Sequence, residues 1–110
     1  MVSLVIPVYN EEESLPRLFE KIHQLTEHLP EMEAIFIDDG SKDNSFSLLH
    51  EAATRHDYIK VVKLARNSGQ TAAIQAGIDH ACGDVLVFLD SDLQNDPADI
   101  PALLAKLDEG

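Results

Sequence analysis

The sequence has little cysteine and few basic residues. Among its 110 residues Cys82 is the single cysteine, which excludes an internal disulfide and a zinc site built from cysteines alone. A reducing, cytoplasmic setting is therefore expected. Eight Lys and Arg stand against 20 Asp and Glu, a formal charge of −12 at pH 7. This charge disfavours nonspecific binding to nucleic acid or to an anionic membrane surface.

The sequence also lacks long hydrophobic runs. No stretch approaches the roughly 20 apolar residues of a membrane-spanning helix, and the apolar start at 1–8 lacks the basic leader of a signal peptide. We expect residues 1–110 to form a single soluble domain that is the truncated part of a longer one. Apolar surface left by the missing part could drive self-association of the isolated segment.

Apolar runs alternate with amphipathic stretches four times along the chain. The β-branched, apolar runs predict strands at Val2–Val8, Glu33–Ile37, Ile59–Leu64 and Val85–Leu89. The stretches between and after them predict helices at Ser14–His28, Asp43–Arg55, Gly69–Ala81 and Pro97–Leu107. This β-α-β-α-β-α-β-α order predicts a three-layer α/β fold of Rossmann-like type, with a mostly parallel sheet and right-handed crossovers.

Each predicted strand is followed by a polar cluster. The clusters are Pro7–Glu11, Asp38–Ser41, Arg66–Gln70 and Asp90–Gln94. In an open parallel sheet, ligands bind outside the carboxyl ends of the strands. The sequence therefore predicts one binding edge to which all four clusters contribute.

The fourth cluster predicts a metal site. Asp90 and Asp92 lie one residue apart just beyond a buried strand, and Gln94 could add a neutral amide oxygen. Such hard oxygen ligands suit Mg²⁺ or Mn²⁺ with positions left open for phosphate oxygens. The alternative is that these acids only end the strand and cap the next helix.

Other residues at this edge suit a nucleotide. Asp38 and Asp39 could accept hydrogen bonds from a ribose hydroxyl or a base N–H, although an Asp-Gly turn needs no ligand. Tyr9 offers a flat face for base stacking, or it packs at the sheet edge. Arg66 suits a phosphate or a structural carboxylate.

Several motifs are missing. No G-x-G-x-x-G follows the first strand, and there is no Walker lysine. The five histidines fall on predicted helices or their ends, away from the binding edge, and nothing near Cys82 suggests an activated thiolate. The sequence therefore supports neither a dinucleotide fold nor a P-loop.

Four ordered motifs together resemble glycosyltransferase family two, which has the GT-A fold. They are V-I-P-V-Y-N-E-E, I-D-D-G-S-x-D, R-N-x-G-Q-x-x-A-I-x-A-G and F-L-D-S-D-L-Q-N-D-P. The last two look most like the polyprenyl-phosphate glycosyltransferases, the group that includes dolichol-phosphate mannose synthase. The resemblance covers nearly all of the chain and implies the donor-binding, N-terminal half of a GT-A domain.

The resemblance implies a role for each matching position. The positions that match the family's nucleotide-sugar site are Pro7, Tyr9, Glu11, Asp38, Asp39, Arg66, Asp90, Ser91 and Asp92. Asp90 and Asp92 match the D-x-D pair that holds the metal, and Gln94 matches a glutamine in the metal shell. Gln70 matches the same segment as Arg66. No catalytic residue is assigned within 1–110, because the second half of such domains completes the reaction centre.

The implied activity is metal-dependent, inverting transfer of a sugar from a nucleotide-diphosphate donor to a polyprenyl phosphate. This implies Mg²⁺ or Mn²⁺ as cofactor, a place in cell-wall or glycolipid synthesis and, for the full protein, the cytoplasmic face of a membrane. A saccharide or other hydroxyl acceptor is the alternative within the family.

Two other classes of protein compete with this interpretation. In a haloacid-dehalogenase-like phosphatase Asp90 would be the nucleophile, but Gln94 stands where that motif requires threonine. A phosphorylation receiver, a noncatalytic module, would place its acidic pair after the first strand, where this chain has Tyr9 and Asn10.

Overall fold

Strands and helices alternate along the chain. In the computed structural model, which describes residues 1–29 and 31–89, the strands are β1 (Val2–Val8), β2 (Met32–Asp38), β3 (Ile59–Lys63) and β4 (Val85–Phe88). The helices are α1 (Leu15–Leu25), α2 (Ser45–Arg55) and α3 (Gln70–His80). The predicted α/β alternation is confirmed for these elements, and the predicted fourth helix lies outside the described residues. Within the described ranges, no helix is long and apolar enough to cross a membrane.

The four strands form one parallel sheet in the order β3-β2-β1-β4. In the middle of the sheet Val5 of β1 pairs with Ile35 of β2 on one side and with Phe88 of β4 on the other. The two central strands are apolar on both faces because both faces are covered. Their β-branched runs therefore predict a buried strand rather than an alternating one.

Helices cover the sheet on both faces, which confirms the three-layer arrangement. Phe36 of β2 belongs to the larger core, beneath α1 and α2. Ile37 belongs to the smaller core on the opposite face, beneath α3. Gly77 of α3 is buried there, and a Cβ atom added to it would lie 2.8 Å from Ile37 Cδ1. The glycine therefore lets α3 approach the sheet closely.

Two predicted helix bounds differ from the structure by more than one residue. Helix α1 ends at Leu25 rather than His28, because the chain tightens there: Glu27 N donates to Gln24 O, and His28 N donates to Leu25 O. These are bonds across three residues, which close a helix. Helix α2 begins at Ser45 rather than Asp43.

A buried polar network fastens the sheet at the amino ends of its strands. Glu33 of β2 is only 4% exposed, and its carboxylate accepts hydrogen bonds from Ser3 Oγ at 2.5 Å and from Cys82 N at 2.6 Å. Lys60 Nζ lies 2.5 Å from the other carboxylate oxygen. Glu33 thus ties β1, β3 and the start of the α3–β4 connection to one side chain.

The network lowers the pKa of Glu33. Burial by itself would raise this pKa, but the hydrogen bonds from Lys60, Ser3 and the Cys82 N–H, together with the Lys60 charge, outweigh it. A carboxyl group whose pKa is lowered by folding stabilises the fold above its unfolded-state pKa. That contribution is lost as the pH falls through the folded-state pKa.

We expect Glu33→Gln to lower the free energy of unfolding by about 2 kcal/mol at neutral pH, because the buried carboxylate loses its ion pair with the exposed Lys60 and its charge-assisted hydrogen bonds. The difference from wild type should shrink as the pH falls below the unfolded-state pKa and through the lowered folded-state pKa of Glu33, because the carboxylate becomes protonated there. Urea unfolding at a series of pH values measures it. Glu31→Gln, at an exposed position, is the matched control. An equal loss at pH 3 and pH 7 would contradict the role of the charge.

Candidate functional site

Side chains from the loop after β2 hold the backbone of the loop after β1. Asn10 has a left-handed backbone with a φ of 52°, which is uncommon for a residue other than glycine. Its N–H donates to Ser41 Oγ at 2.9 Å, and its own Oδ1 accepts from Lys42 N at 2.8 Å. The unusual backbone of Asn10 is therefore fixed by a reciprocal pair of hydrogen bonds between the two loops.

The next two residues of this loop are held in the same way. Glu11 N donates to Ser45 Oγ at 2.8 Å, and Glu12 N donates to Asp43 Oδ2 at 3.2 Å. The second oxygen of Asp43 accepts from Ser45 N at 2.9 Å. Asp43 therefore accepts hydrogen bonds both from the first N–H of α2 and from the loop after β1. The carboxylate of Asp43 accepts a hydrogen bond from the first residue of α2 while lying outside the helix. The helix therefore begins two residues after Asp43.

Asp39 fastens the loop after β3. It is 5% exposed, and its carboxylate accepts from Ser68 N at 2.7 Å, Gly69 N at 3.1 Å and Asn67 Nδ2 at 3.3 Å. Gly69 is the residue from which α3 starts. An ionised carboxylate has about four acceptor positions, and donors from the described residues occupy three of those of Asp39.

Close backbone contact at Gly40 adds to this junction. Gly40 has a φ of 78°, and a Cβ atom there would lie 2.5 Å from Asn67 N and 2.6 Å from the carbonyl carbon of Arg66. Only glycine fits this combination of positive φ and close approach. The Asp-Gly turn predicted from the sequence is thus the surface against which the third loop packs.

The acidic pair after β2 divides between the two faces of the sheet. Asp38 follows Phe36 in the strand alternation, so it lies on the face of α1 and α2. Asp38 is fully buried, and neither carboxylate oxygen has a hydrogen-bond partner in the described part of the chain. Asp39 bonds the loop that leads to α3. The sequence predicts that the two acids lie together, whereas the structure separates them.

Other predicted residues remain accessible at this edge. Tyr9 is 40% exposed and follows Val8, whose carbonyl accepts from Asp39 N at 2.8 Å. Pro7 and Glu11 are half-buried, and Arg66 is exposed. Tyr9 and Asp39 are therefore brought next to each other at the ends of β1 and β2.

The predicted metal ligands Asp90, Asp92 and Gln94, together with Ser91, lie outside the described residues. Strand β4 runs parallel to β1, and Leu89 N donates to Val5 O at 3.1 Å. The chain therefore lies beside β1 at Leu89, directly after the end of β4. Among residues 1–29 and 31–89, no group of three or more His, Cys, Asp or Glu side chains could hold a metal ion.

The side chains that join the loops were not predicted from the sequence. They are Asn10, Ser41, Asp43, Ser45 and Asn67. The available signal was the run of Ser, Asp and Asn directly after a strand, since these side chains commonly bond nearby backbone groups. That signal does not reveal that the partners lie some 30 residues away.

Solved structures similar to this chain contain nucleotides. The S. aureus protein TarS, solved as residues 1–349 in complex with UDP, is 25% identical with a TM-score of 0.81 over 98% of this chain and 32% of that one. Glucosyl-3-phosphoglycerate synthase from Mycobacterium tuberculosis, solved with Mn²⁺, UDP and glucosyl-3-phosphoglycerate, is 26% identical with a TM-score of 0.77 over 97% of this chain and 39% of that one. A third similarity shows the fold alone.

That third structure is the mannosyltransferase PcManGT from Pyrobaculum calidifontis with GDP-Man and Mn²⁺, at 23% identity and a TM-score of 0.83, over 96% of this chain and 31% of that one. The chain spans about a third of the length of these proteins. The family model described as Glycosyl transferase family 2 matches residues 3–110. Because that match takes in nearly the whole chain, the chain belongs to glycosyl transferase family 2.

Proposed function

We propose that the chain is the donor-binding half of a metal-dependent, inverting glycosyltransferase that uses a nucleotide-diphosphate sugar. The observation that carries the proposal is the adjacency of an exposed Tyr9 and the anchored Asp39 at the ends of the two central strands. Loops that are already bonded to one another lose little conformational entropy when a ligand binds.

The described residues suit the nucleoside and the phosphates. Tyr9 would stack against the base, since its ring is exposed at the edge. Asp39 would use its remaining acceptor position for a base N–H or a ribose hydroxyl. Arg66 is exposed on the third loop, and no carboxylate of the described residues forms an ion pair with it. Its guanidinium would bind a phosphate oxygen.

Asp90, Asp92 and Gln94 would hold Mg²⁺ or Mn²⁺, since carboxylate and amide oxygens suit either ion. When bound, the ion supplies positive charge to the diphosphate that leaves. Similar proteins solved with Mn²⁺ support a divalent ion at this fold. Ser91, between the two acids, would lie against the donor.

The proposed reaction inverts the sugar. An acceptor oxygen attacks the anomeric carbon from the face opposite the diphosphate and forms a new C–O bond. The bond from that carbon to the phosphate oxygen breaks, and its electron pair leaves with the diphosphate. We propose a polyprenyl phosphate as the acceptor, which places the whole protein at the cytoplasmic face of a membrane in cell-wall or glycolipid synthesis. Such a phosphate is already anionic and requires little help from a general base.

A hydroxyl acceptor is the second candidate. The structure of the synthase from M. tuberculosis supports this candidate, because it contains glucosyl-3-phosphoglycerate. A hydroxyl acceptor would require a general base to take its proton. The two acceptor classes are therefore distinguished by whether the rate depends on such a base.

Calorimetric titration of the complete protein with UDP, GDP and their sugars tests the donor proposal. We expect binding of one nucleotide that strengthens at least about tenfold with Mn²⁺ or Mg²⁺ and falls again with a chelator. Absence of metal-dependent binding of any nucleoside diphosphate would contradict it. Transfer to a polyprenyl phosphate, compared with transfer to soluble hydroxyl acceptors, then decides the acceptor class.

A further inference from the structure

Three consecutive backbone N–H groups directly after Tyr9 are bound by side chains of one short segment. The N–H groups of residues 10, 11 and 12 donate to Ser41 Oγ, Ser45 Oγ and Asp43 Oδ2. We call residues 41–45 the S-x-D-x-S segment. The bonded residues are separated by 31 to 34 positions in sequence, so this contact joins two loops rather than stabilising one.

The segment fixes the backbone on the side of Tyr9 that the sheet does not reach. Before Tyr9, the carbonyl of Val8 accepts from Asp39 N within the extension of β1 and β2. After Tyr9, the left-handed Asn10 is bonded through both its N–H and its side chain. The ring of Tyr9 is thus exposed while its backbone is held on both sides.

Asp43 is the charged member of the segment, and both of its oxygens are used. Oδ1 accepts from Ser45 N and Oδ2 accepts from Glu12 N. Burial alone would raise the pKa of Asp43, but the hydrogen bonds from Ser45 and Glu12 outweigh it and hold the pKa below its ordinary value. The carboxylate is therefore ionised at neutral pH, and an amide cannot replace it, since an amide has only one oxygen.

We propose that Asp43 is a positioning residue for the donor site, which acts through the backbone of residues 10–12 to hold Tyr9 in place for the base. This inference rests on the proposed function. Asp43 touches neither the base nor the reacting atoms in this scheme. Without Asp43 the Tyr9 ring is still present, but its loop is no longer held in place. Donor binding must then order the loop, which weakens the affinity for the donor.

The central experiment compares Asp43→Asn with wild type in the complete protein. We expect the donor KM to rise about tenfold and kcat to change less than twofold. A tenfold rise corresponds to part of the binding free energy of one base–aromatic stacking contact. Asp57→Asn makes the same charge change at an exposed position at the opposite edge of the sheet and should change neither constant. Equal donor KM values for wild type and Asp43→Asn would overturn the proposal.

A double-mutant cycle with Tyr9→Ala separates positioning from general destabilisation. If Asp43 acts through Tyr9, the double variant binds donor no more weakly than Tyr9→Ala alone. Fully additive losses would overturn the proposal. If Asp43→Asn fails to fold, Ser41→Ala removes only the bond to Asn10 N, and the same cycle is run with it.

Amide hydrogen exchange keeps this test distinct from the test of donor binding. In the protein without donor, the N–H groups of residues 10–12 should be protected, and Asp43→Asn should raise their exchange rate at least about tenfold. Unprotected amides in wild type would overturn the positioning role, whether or not a donor binds. Protected amides in a protein that binds no nucleotide would instead leave the loop contact standing and contradict the proposed function.

Discussion

Replacing Asp39 with alanine is expected to lower the free energy of unfolding by about 3 kcal/mol. The carboxylate accepts three hydrogen bonds, two of them from the backbone N–H groups of Ser68 and Gly69. Hydrogen bonds to a charged group contribute about 1.5–3 kcal/mol each, but Ser68 is exposed, so water replaces part of what is lost. Chemical denaturation of the wild type and the variant measures the difference.

Two further variants show whether the anchoring of the loop causes this loss. Asp39→Asn keeps one oxygen and should lose about half as much stability. Asp57→Ala removes an exposed acid and should stay within about 0.5 kcal/mol of wild type. If Asp39→Ala were as stable as Asp57→Ala, the loop after β3 would not depend on this carboxylate. Donor affinity should fall in both Asp39 variants, because the same oxygens face the nucleoside in the proposed site.

The fold follows closely from the sequence pattern. Short β-branched runs that alternate with helix-length stretches specify parallel strands with helices between them. The register of the apolar residues then fixes which face each side chain occupies, as Phe36 and Ile37 show on opposite faces of β2. The bounds of the helices were less predictable, because the end of α1 depends on which carbonyl each terminal N–H selects.

The separation of Asp38 from Asp39 was predictable in principle. Successive strand residues face opposite sides, and β2 extends to Asp38. The apolar run predicts that this strand ends at Ile37, which makes both acids loop residues free to converge. The burial of the Asp38 carboxylate without a hydrogen-bond partner among residues 1–29 and 31–89 could not be foreseen, since burial of a charge without a partner is unfavourable and rare.

The bonds between loops were beyond sequence reasoning for a different reason. They join residues about 30 positions apart and depend on single backbone conformations, such as the positive φ of Asn10. A run of Ser, Asp and Asn predicts local turns or helix caps equally well. The network around Glu33 could not be predicted for a similar reason. One charged residue at the start of an apolar run does not indicate that Ser3 and Lys60 are its partners.

Replacing Asp92 with asparagine is expected to lower donor turnover by the complete protein at least about 100-fold. Carboxylates bind Mg²⁺ and Mn²⁺ better than a neutral amide does, and the variant loses one negative charge from the proposed ligand set. The apparent metal affinity, measured by titrating Mn²⁺ at saturating donor, should fall with it. Asp79→Asn, an exposed acid on α3, is the matched control and should retain turnover and metal affinity.

The family match argues against the haloacid-dehalogenase interpretation, and the response of Asp90 tests its role as a metal ligand directly. As a metal ligand, Asp90 should behave as Asp92 does, and Asp90→Asn should regain part of its turnover at high Mn²⁺. As a nucleophile, Asp90 would form an acyl phosphate, and no amount of metal would rescue its replacement. Mass spectrometry of the protein after reaction with a phosphate ester detects that adduct. Its appearance on Asp90, together with unchanged donor binding by Asp92→Asn, would contradict a metal-held sugar nucleotide at this edge of the sheet.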